Sequence, residues 1–457
     1  MIKLYVPAVR AGMDHTTMKK TFYIETFGCQ MNKNDTELMA LSMTGEGFET
    51  ASGADLADII IFNTCSVRDH AENRALSRMR GSRKKGAGRD VVIVAAGCMA
   101  QRIGGDLLEK GTANMVVGPY QVPEMGRLVR AYMRDSASNA FLSQDLADFT
   151  GRINPGLGRT AATPGWHRWV TITHGCENYC SYCIVPMVRG KLISFPSGRI
   201  LDYVKSLAGA GIKEITLLGQ NVNQYGTDSG DLPFHRLLEA TAGISGIERI
   251  NFITSHPKDF SEDILDVIAA HDNISRSIHL PLQSGSDRIL SLMNRRYAMA
   301  DYMMIVEKIA ARLVTYSLST DLIVGFPGET ELEFRDTLSA VESIRFDDAF
   351  TFAYSPRAGT PACSIPETLT RGQKIDRLQR LIAIQRDIAR QRLAERISSV
   401  EDSIIERFST KSPERVMGRT NLNHVVITSG TSDDFGKRVR VRIDGVRGTT
   451  LQGTRIA

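Results

Sequence analysis

Six of the seven cysteines in this chain fall into two groups of three. Cys176, Cys180 and Cys183 form a C-x3-C-x2-C run in ITHGCENYCSYCIVP. Three thiolates at that spacing can hold three corners of a 4Fe–4S cube and leave the fourth iron without a protein ligand. An open iron can bind a substrate or cofactor, so the spacing points to catalysis more than to electron transfer. Cys29, Cys65 and Cys98 form the looser group. Each ends a β-like run (TFYIETFGC, DIIIFNTC and DVVIVAAGC), and the gaps of 36 and 33 residues are close to one βαβ unit. In a doubly wound parallel sheet successive strand ends converge on one edge, where ligands bind. Three cysteines at equivalent strand ends are therefore expected to meet. The competing account is three buried cysteines acting as small hydrophobes. Disulfides are less expected still in a reducing compartment. Cys363, in GTPACS, has no partner spacing and reads as a packing residue.

The elements that must carry these residues follow from length and pattern. A chain of 457 residues exceeds one ordinary core and should split into two to four domains. A hydrophobic content of 42% and a charged content of 23% are normal for a soluble globular protein. The net charge of +5 permits an anionic partner without demanding one. No run approaches 18 apolar residues, so no membrane span is expected. Residues 1–19 lack a signal-peptide pattern and read as a disordered extension, and a cytoplasmic location is expected. Residues 20–140 alternate strand and helix as a doubly wound α/β domain. Six basic residues between Arg78 and Arg89 read as a solvated helix end and loop, with nucleic-acid contact as the functional alternative. Residues 141–164 are rich in Gly, Thr and Pro and read as a linker.

From 165 to 392 six strand candidates alternate with helical patterns: WVTITHGC, EITLLGQN, RINFITSH, SIHLPLQS, LSTDLIVGFPGE and DAFTFAYSP. That succession predicts a partial TIM-like (β/α)6 barrel. Polar or glycine-containing motifs follow nearly every strand, at the carboxyl face where such barrels place their sites. Residues 371–395 read as an amphipathic helix. Residues 393–457 alternate in short β-like pieces and predict a small all-β barrel. In KRVRVRID, Arg438, Arg440 and Arg442 share one strand face, which is either a phosphate-contacting or an ordinary exposed face.

These motifs resemble a known family. The C-x3-C-x2-C run on a first barrel strand resembles the radical S-adenosylmethionine (SAM) enzymes. The upstream triplet in GCQMN, NTCSVR and GCMAQ resembles the methylthiotransferase branch, as do the RG after the cluster loop, LPLQSGSDRILSLMNRRY, TDLIVGFPGET and YSPRAGTPA. The tail with GRTNLNHVV is similar to the RNA-binding TRAM domain. Within the branch, GCQMN with NTCSVR looks most like the tRNA 2-methylthio-adenosine synthases. Alternative substrates in similar branches are threonylcarbamoyl-adenosine and a ribosomal protein aspartate. A non-catalytic iron–sulfur RNA binder is the rival outside enzymes.

The resemblance implies two [4Fe–4S] clusters, held by Cys176, Cys180 and Cys183 and by Cys29, Cys65 and Cys98. It implies SAM on the open iron of the first, with Tyr182 beside its adenine, Gly219, Gln220 and Asn221 near its amino group, and Gly325 and Pro327 approaching the adenine. One SAM would supply a methyl group, and a second the radical that removes hydrogen from carbon 2 of the target adenine. The implied partners are a tRNA anticodon stem-loop and a low-potential electron donor such as flavodoxin or ferredoxin, with the chain a monomer. The chain departs from the family in RGKLISFP, where Leu192 and Phe195 stand at positions usually held by Glu and Arg.

Overall fold

The computed structural model describes residues 20–66, 69–85, 90–137, 139–142 and 165–456. The expected extension, most of the linker and residues 86–89 of the basic loop lie outside them. The chain divides into two compact units. The first comprises Met1–Pro164, His174–Glu177 and Ile184–Ala210, and the second Gly165–Thr173, Asn178–Cys183 and Gly211–Ala457.

The first unit is built on a wholly parallel sheet. Its strands are β1 (Thr21–Thr26), β2 (Glu49–Thr50), β3 (Ile59–Thr64), β4 (Val92–Gly97), β5 (Met115–Val117) and β6 (Ala140–Phe141), in the order β2-β1-β3-β4-β5-β6. Residues Ile59 to Phe62 are all buried, as a strand covered on both faces requires. Ile59 and Ile61 face Met39 and Met43 of α1 (Gln30–Gly45) and Leu128 of α4 (Met125–Arg134). Ile60 and Phe62 face Ala75 and Met79 of α2 (Asp69–Lys85) and Leu107 of α3 (Cys98–Glu109). Each large side chain buried this way stabilises the layer by about 1.5–3 kcal/mol. The strand order reverses between β1 and β3, and their helices leave to opposite faces. That switch point is where a doubly wound sheet opens a ligand crevice. Phe141 was expected in the linker, but it pairs with Val117 as part of β6, so the sheet reaches past residue 140.

The second unit carries the expected strands. The two-residue β8 (Thr173–His174) straddles the unit boundary and β9 (Ile193–Ser194) belongs to the first unit; the strands of the second are β7 (His167–Thr171), β10 (Glu214–Leu218), β11 (Arg249–Phe252), β12 (Ser277–His279), β13 (Ser317–Val324) and β14 (Asp348–Ala353). They form parallel sheets β11-β10-β7 and β12-β13-β14, linked by a parallel bridge between Ile250 and Ile274. Helices Phe234–Ala242, Glu262–Ala270, Met299–Arg312 and Glu331–Ile344 connect them. Helix Arg371–Ala394 leads into a closed barrel of β15 (Val400–Phe408), β16 (Arg415–Thr420), β17 (Val425–Ser429), β18 (Arg438–Arg447) and β19 (Thr450–Ile456). Its core is Ile405, Val416, Val426, Val439, Val441 and Leu451.

The barrel docks through its Arg419–Leu422 turn. Arg249 donates to the carbonyls of Arg419 and Thr420, Ser275 to that of Asn421, and Ser317 to that of Leu422. Arg249 and Ser317 open β11 and β13, so the barrel sits at the amino ends of these strands, opposite their carboxyl ends. No described helix is long and apolar enough to cross a membrane.

The loop after β13 is fixed by a capping box. Thr330 caps helix Glu331–Ile344, and the Glu333 carboxylate accepts from the Thr330 N–H at 2.8 Å and from Arg288 at 2.6 and 2.7 Å. The Arg288 bonds, against burial, hold the Glu333 carboxyl down at about 2. A depressed carboxyl stabilises the fold fully above its unfolded value near 4.5 and loses that contribution as pH falls toward 2. Glu333→Gln should therefore cost about 1–3 kcal/mol at pH 7. In denaturant titrations the gap to the parent protein should shrink between pH 4.5 and 2. A gap independent of pH would show that the carboxylate charge is not the cause.

Candidate active site

The N-terminal cysteines meet at the switch point. Cys29 follows β1 and is the N-cap residue of α1, Cys65 follows β3, and Cys98 opens α3. Helix N-termini present unpaired N–H groups and favour a thiolate. A hydrogen bond with the Cys65 thiol, with help from Arg189, lowers Cys29 to about 6 against the effect of burial. Burial raises Cys98 despite the opposing charge of Arg189. Gly28 has φ +116°, and a Cβ there would lie 2.3 Å from the Cys65 Cβ, so only glycine lets the two loops touch.

Two buried asparagines set the backbone around these thiols. Asn32 donates to the Phe27 carbonyl at 2.9 Å and to Asn63 Oδ1 at 3.1 Å, and Asn63 donates to the Asn32 carbonyl at 2.7 Å. Arg189 reaches the same place from the end of the short helix Val185–Arg189 that follows the second triplet. Its Nη2 donates to Asp35 at 2.7 Å and its Nε to Cys98 Sγ at 3.3 Å, with both charged side chains almost wholly buried. The sequence marked Asn32, Asn63 and Arg189 only as letters of the GCQMN, NTC and RG motifs. Asp35 it missed entirely.

The boundary between units falls inside the second triplet. In the first unit, Cys176 N–H donates to the Gly190 carbonyl at 3.2 Å. In the second, Cys180 and Cys183 share a turn closed by Cys183 N–H to the Cys180 carbonyl at 2.9 Å. Ser181 pins that turn, donating its N–H to the Met293 carbonyl and its hydroxyl to that of Leu292. Arg295, in the sequence only a letter of the MNRRY stretch, is buried with Nη1 3.4 Å from both Cys180 Sγ and the Tyr182 hydroxyl. All seven cysteines are free thiols. Among the described residues no group of three His, Cys, Asp or Glu is placed to hold a single metal ion. A cube differs, because each cysteine ligates a different iron and the thiols must stand apart.

The other candidate residues lie at strand carboxyl ends of the second unit. Gly219 ends so close to Thr173 that a Cβ would meet its Oγ1 at 2.1 Å. Asn221 donates to Asp259 at 2.7 Å and leaves its Oδ1 unpartnered. Gln220 Oε1, Thr173 Oγ1, Ser255 Oγ and Gln283 Oε1 are likewise buried without a hydrogen-bond partner. His256 accepts from the Lys258 N–H through Nδ1 and leaves Nε2 unpartnered. Burial, then Arg295, hold it down at about 2, so the ring is neutral. Buried orphans normally find partners, and a run of them after β7, β10, β11 and β12 fits a polar ligand. Tyr182 packs against the Phe326 and Tyr354 cluster. Gly325 has φ +70° and donates its N–H to Glu329 at 2.7 Å, and Pro327 follows in the same buried loop.

Three details differ from the sequence expectations or sharpen them. Cys363 is exposed, because the single 3-10 turn Pro361–Ser364 buries Ala362 and turns its neighbour outward. Arg438, Arg440 and Arg442 do share an exposed face, but Arg438 donates to the Glu248 carbonyl and Arg442 pairs with Asp444. Leu192 and Phe195 are buried, so these two positions belong to the apolar interior of the first unit.

Residues 21–118 match the Uncharacterized protein family UPF0004, residues 170–341 the Radical SAM superfamily and residues 399–456 the TRAM domain. The chain is 38% identical over 442 residues to the tRNA-2-methylthio-N(6)-dimethylallyladenosine synthase of Moorella thermoacetica, covering 95% of this chain and 98% of that one. It is 40% identical over 436 residues to the protein of the same name in Geobacter metallireducens, covering 93% and 96%. A solved structure of the radical S-adenosylmethionine methyltransferase TsrM from Kitasatospora setae, with tryptophan and a SAM analogue, superposes with a TM-score of 0.54 at 14% identity, covering 76% of this chain and 75% of that one. That likeness concerns the fold alone. The full-length identities, with all three domain matches in order, place the chain among the radical SAM methylthiotransferases, in the tRNA-2-methylthio-N(6)-dimethylallyladenosine synthase family.

Proposed function

We propose that this enzyme adds a methylthio group to carbon 2 of N(6)-isopentenyladenosine beside the anticodon of a tRNA. The observation that carries it is the gathering of Cys29, Cys65 and Cys98 at the sheet switch point, in a chain that also holds the C-x3-C-x2-C run. Cys176, Cys180 and Cys183 would ligate one [4Fe–4S] cluster and the N-terminal thiols a second. Free thiols, two of them at helix N-termini, are a fitting donor set. With SAM bound, these groups supply one-electron chemistry for an unactivated aromatic C–H bond, and sulfur for the product.

The chain's own residues bind and orient. Tyr182, Gly219, Gln220, Asn221, Gly325 and Pro327 line the proposed SAM site, where the orphaned Gln220 and Asn221 oxygens would accept from an ammonium group. The neutral His256 keeps an N–H for the target base or the cofactor. Bases of an anticodon loop can be splayed into such a pocket. The tail barrel contains only two aromatics, Phe408 and Phe435, and they pack on each other, so its RNA contacts would be to phosphate through Arg440 and its neighbours. A cytoplasmic monomer fed by flavodoxin or ferredoxin completes the proposal.

The test uses anaerobically reconstituted protein with dithionite, SAM and an isopentenylated anticodon stem-loop. 5′-Deoxyadenosine and the methylthio nucleoside should both form, with about eight irons bound as two cubes require. Deoxyadenosine alone, with product appearing only on a threonylcarbamoylated stem-loop, would reassign the substrate. Gly28→Ala should push the Cys65 loop away and lose about half the iron while the chain stays folded by circular dichroism. Unchanged iron in that variant would dissociate the Gly28–Cys65 contact from metal binding.

A further inference from the structure

We propose that Arg189 is a positioning residue that sets the charge and reduction potential at the N-terminal cluster, with Asp35 as its orienter. This rests on the reading that Cys29, Cys65 and Cys98 hold a cluster. Arg189 stands six residues after Cys183, at the end of the short helix Val185–Arg189, so the chain that carries one triplet delivers a cation to the other. Gly190 turns the chain with φ +63°, and the Tyr120 hydroxyl donates to the Arg189 carbonyl at 2.9 Å.

The side chain then has two tasks. Nη2 is held by Asp35 at 2.7 Å, and Nε faces Cys98 Sγ at 3.3 Å. Side-chain exposure is 4% for Arg189 and 8% for Asp35. An ion pair this buried gains little net stability, because desolvation offsets the attraction. What it fixes is orientation, with the cationic fork on a sulfur and the carboxylate behind it. Cluster potentials respond to net charge and to hydrogen bonds on the sulfurs. Arg189 therefore favours the reduced, more negative state, and Asp35 moderates it.

The experiment uses the full chain with Cys176, Cys180 and Cys183 changed to alanine, which leaves only the N-terminal site. Iron is counted after reconstitution, and the midpoint potential is followed by electron paramagnetic resonance. About four irons should bind. Arg189→Gln should shift the reduction equilibrium at least tenfold toward the oxidised form, about 59 mV lower for one electron. Arg189→Lys should shift it less, and Asp35→Asn should move it the other way. If Arg189→Gln does not load iron, the upward shift in Asp35→Asn still decides. Potentials that stay fixed, or that move together in the Arg189 and Asp35 variants, would reduce the pair to a structural clamp. Absence of iron in the triple-alanine parent would remove the two-cluster reading and this inference with it.

Discussion

Cys98→Ala is expected to end methylthio transfer while reductive cleavage of SAM continues. The reason is spatial division of labour within the chain. Cys98 opens α3 at the carboxyl end of β4, one strand beyond the switch point, and the open-iron chemistry is proposed for the C-x3-C-x2-C run. If the three N-terminal thiols hold a second cube, as proposed, removing one would leave it two protein ligands, so about half of the bound iron should be lost. The substitution should still leave the chain folded. Cys98 packs with Ile184 and Val188, and alanine deletes only the sulfur, but that sulfur is the 3.3 Å acceptor of the buried Arg189 Nε, so the cost is about 1–3 kcal/mol. Product should fall to background on the isopentenylated stem-loop, and 5′-deoxyadenosine should persist within about threefold of the parent. Cys180→Ala should instead lose both products. Methylthio nucleoside from Cys98→Ala would refute the sulfur role of the N-terminal site. Loss of deoxyadenosine as well would mean that the two sites are not separable.

Much of this arrangement is legible in the sequence, because it rests on short-range regularity. Cysteines at the ends of three β-like runs, one βαβ unit apart, must share a sheet edge in a doubly wound fold. The switch point between β1 and β3 then brings Cys29 and Cys65 into hydrogen-bonding contact. Strand β6 was illegible, since two residues at the start of a Gly- and Pro-rich stretch carry no periodicity. The exposure of Cys363 depends on one 3-10 turn, which composition does not predict. The larger misses are tertiary. Asp35 and Arg189 are 154 residues apart, and nothing in local spacing pairs a carboxylate on one helix with a guanidinium at the end of a distant short one. In the tail, alternation correctly placed Arg438, Arg440 and Arg442 on one face, but it could not tell that Arg438 is spent on the Glu248 carbonyl.

Arg295→Met should cut SAM cleavage by about a hundredfold or more while leaving the apoprotein as stable as its parent within about 2 kcal/mol. Arg295 is 4% exposed and donates to the Pro281 carbonyl at 2.9 Å, the Tyr297 hydroxyl at 3.1 Å, and Cys180 Sγ and Tyr182 at 3.4 Å. Among the described residues it makes no ion pair with a carboxylate. A buried cation without a counter-ion costs several kcal/mol, so methionine relieves that cost in the apoprotein. Tyr297 still donates to the Leu282 carbonyl at 2.6 Å, while the Pro281 carbonyl loses its 2.9 Å donor and keeps only the Tyr297 hydroxyl 3.3 Å away, a cost that offsets part of that relief. On the proposed assignment of Cys180 to the cluster, the missing anion would be supplied on loading, since a cysteine that ligates iron does so as a thiolate. Stability and activity are then expected to part company in Arg295→Met, and Arg295→Lys should fall between, keeping the charge but not the planar fork. Thermal unfolding of the apoproteins and deoxyadenosine formation by the loaded ones make the comparison. A variant that unfolds more readily in step with its loss of activity would mean that Arg295 supports the fold and not the loaded site.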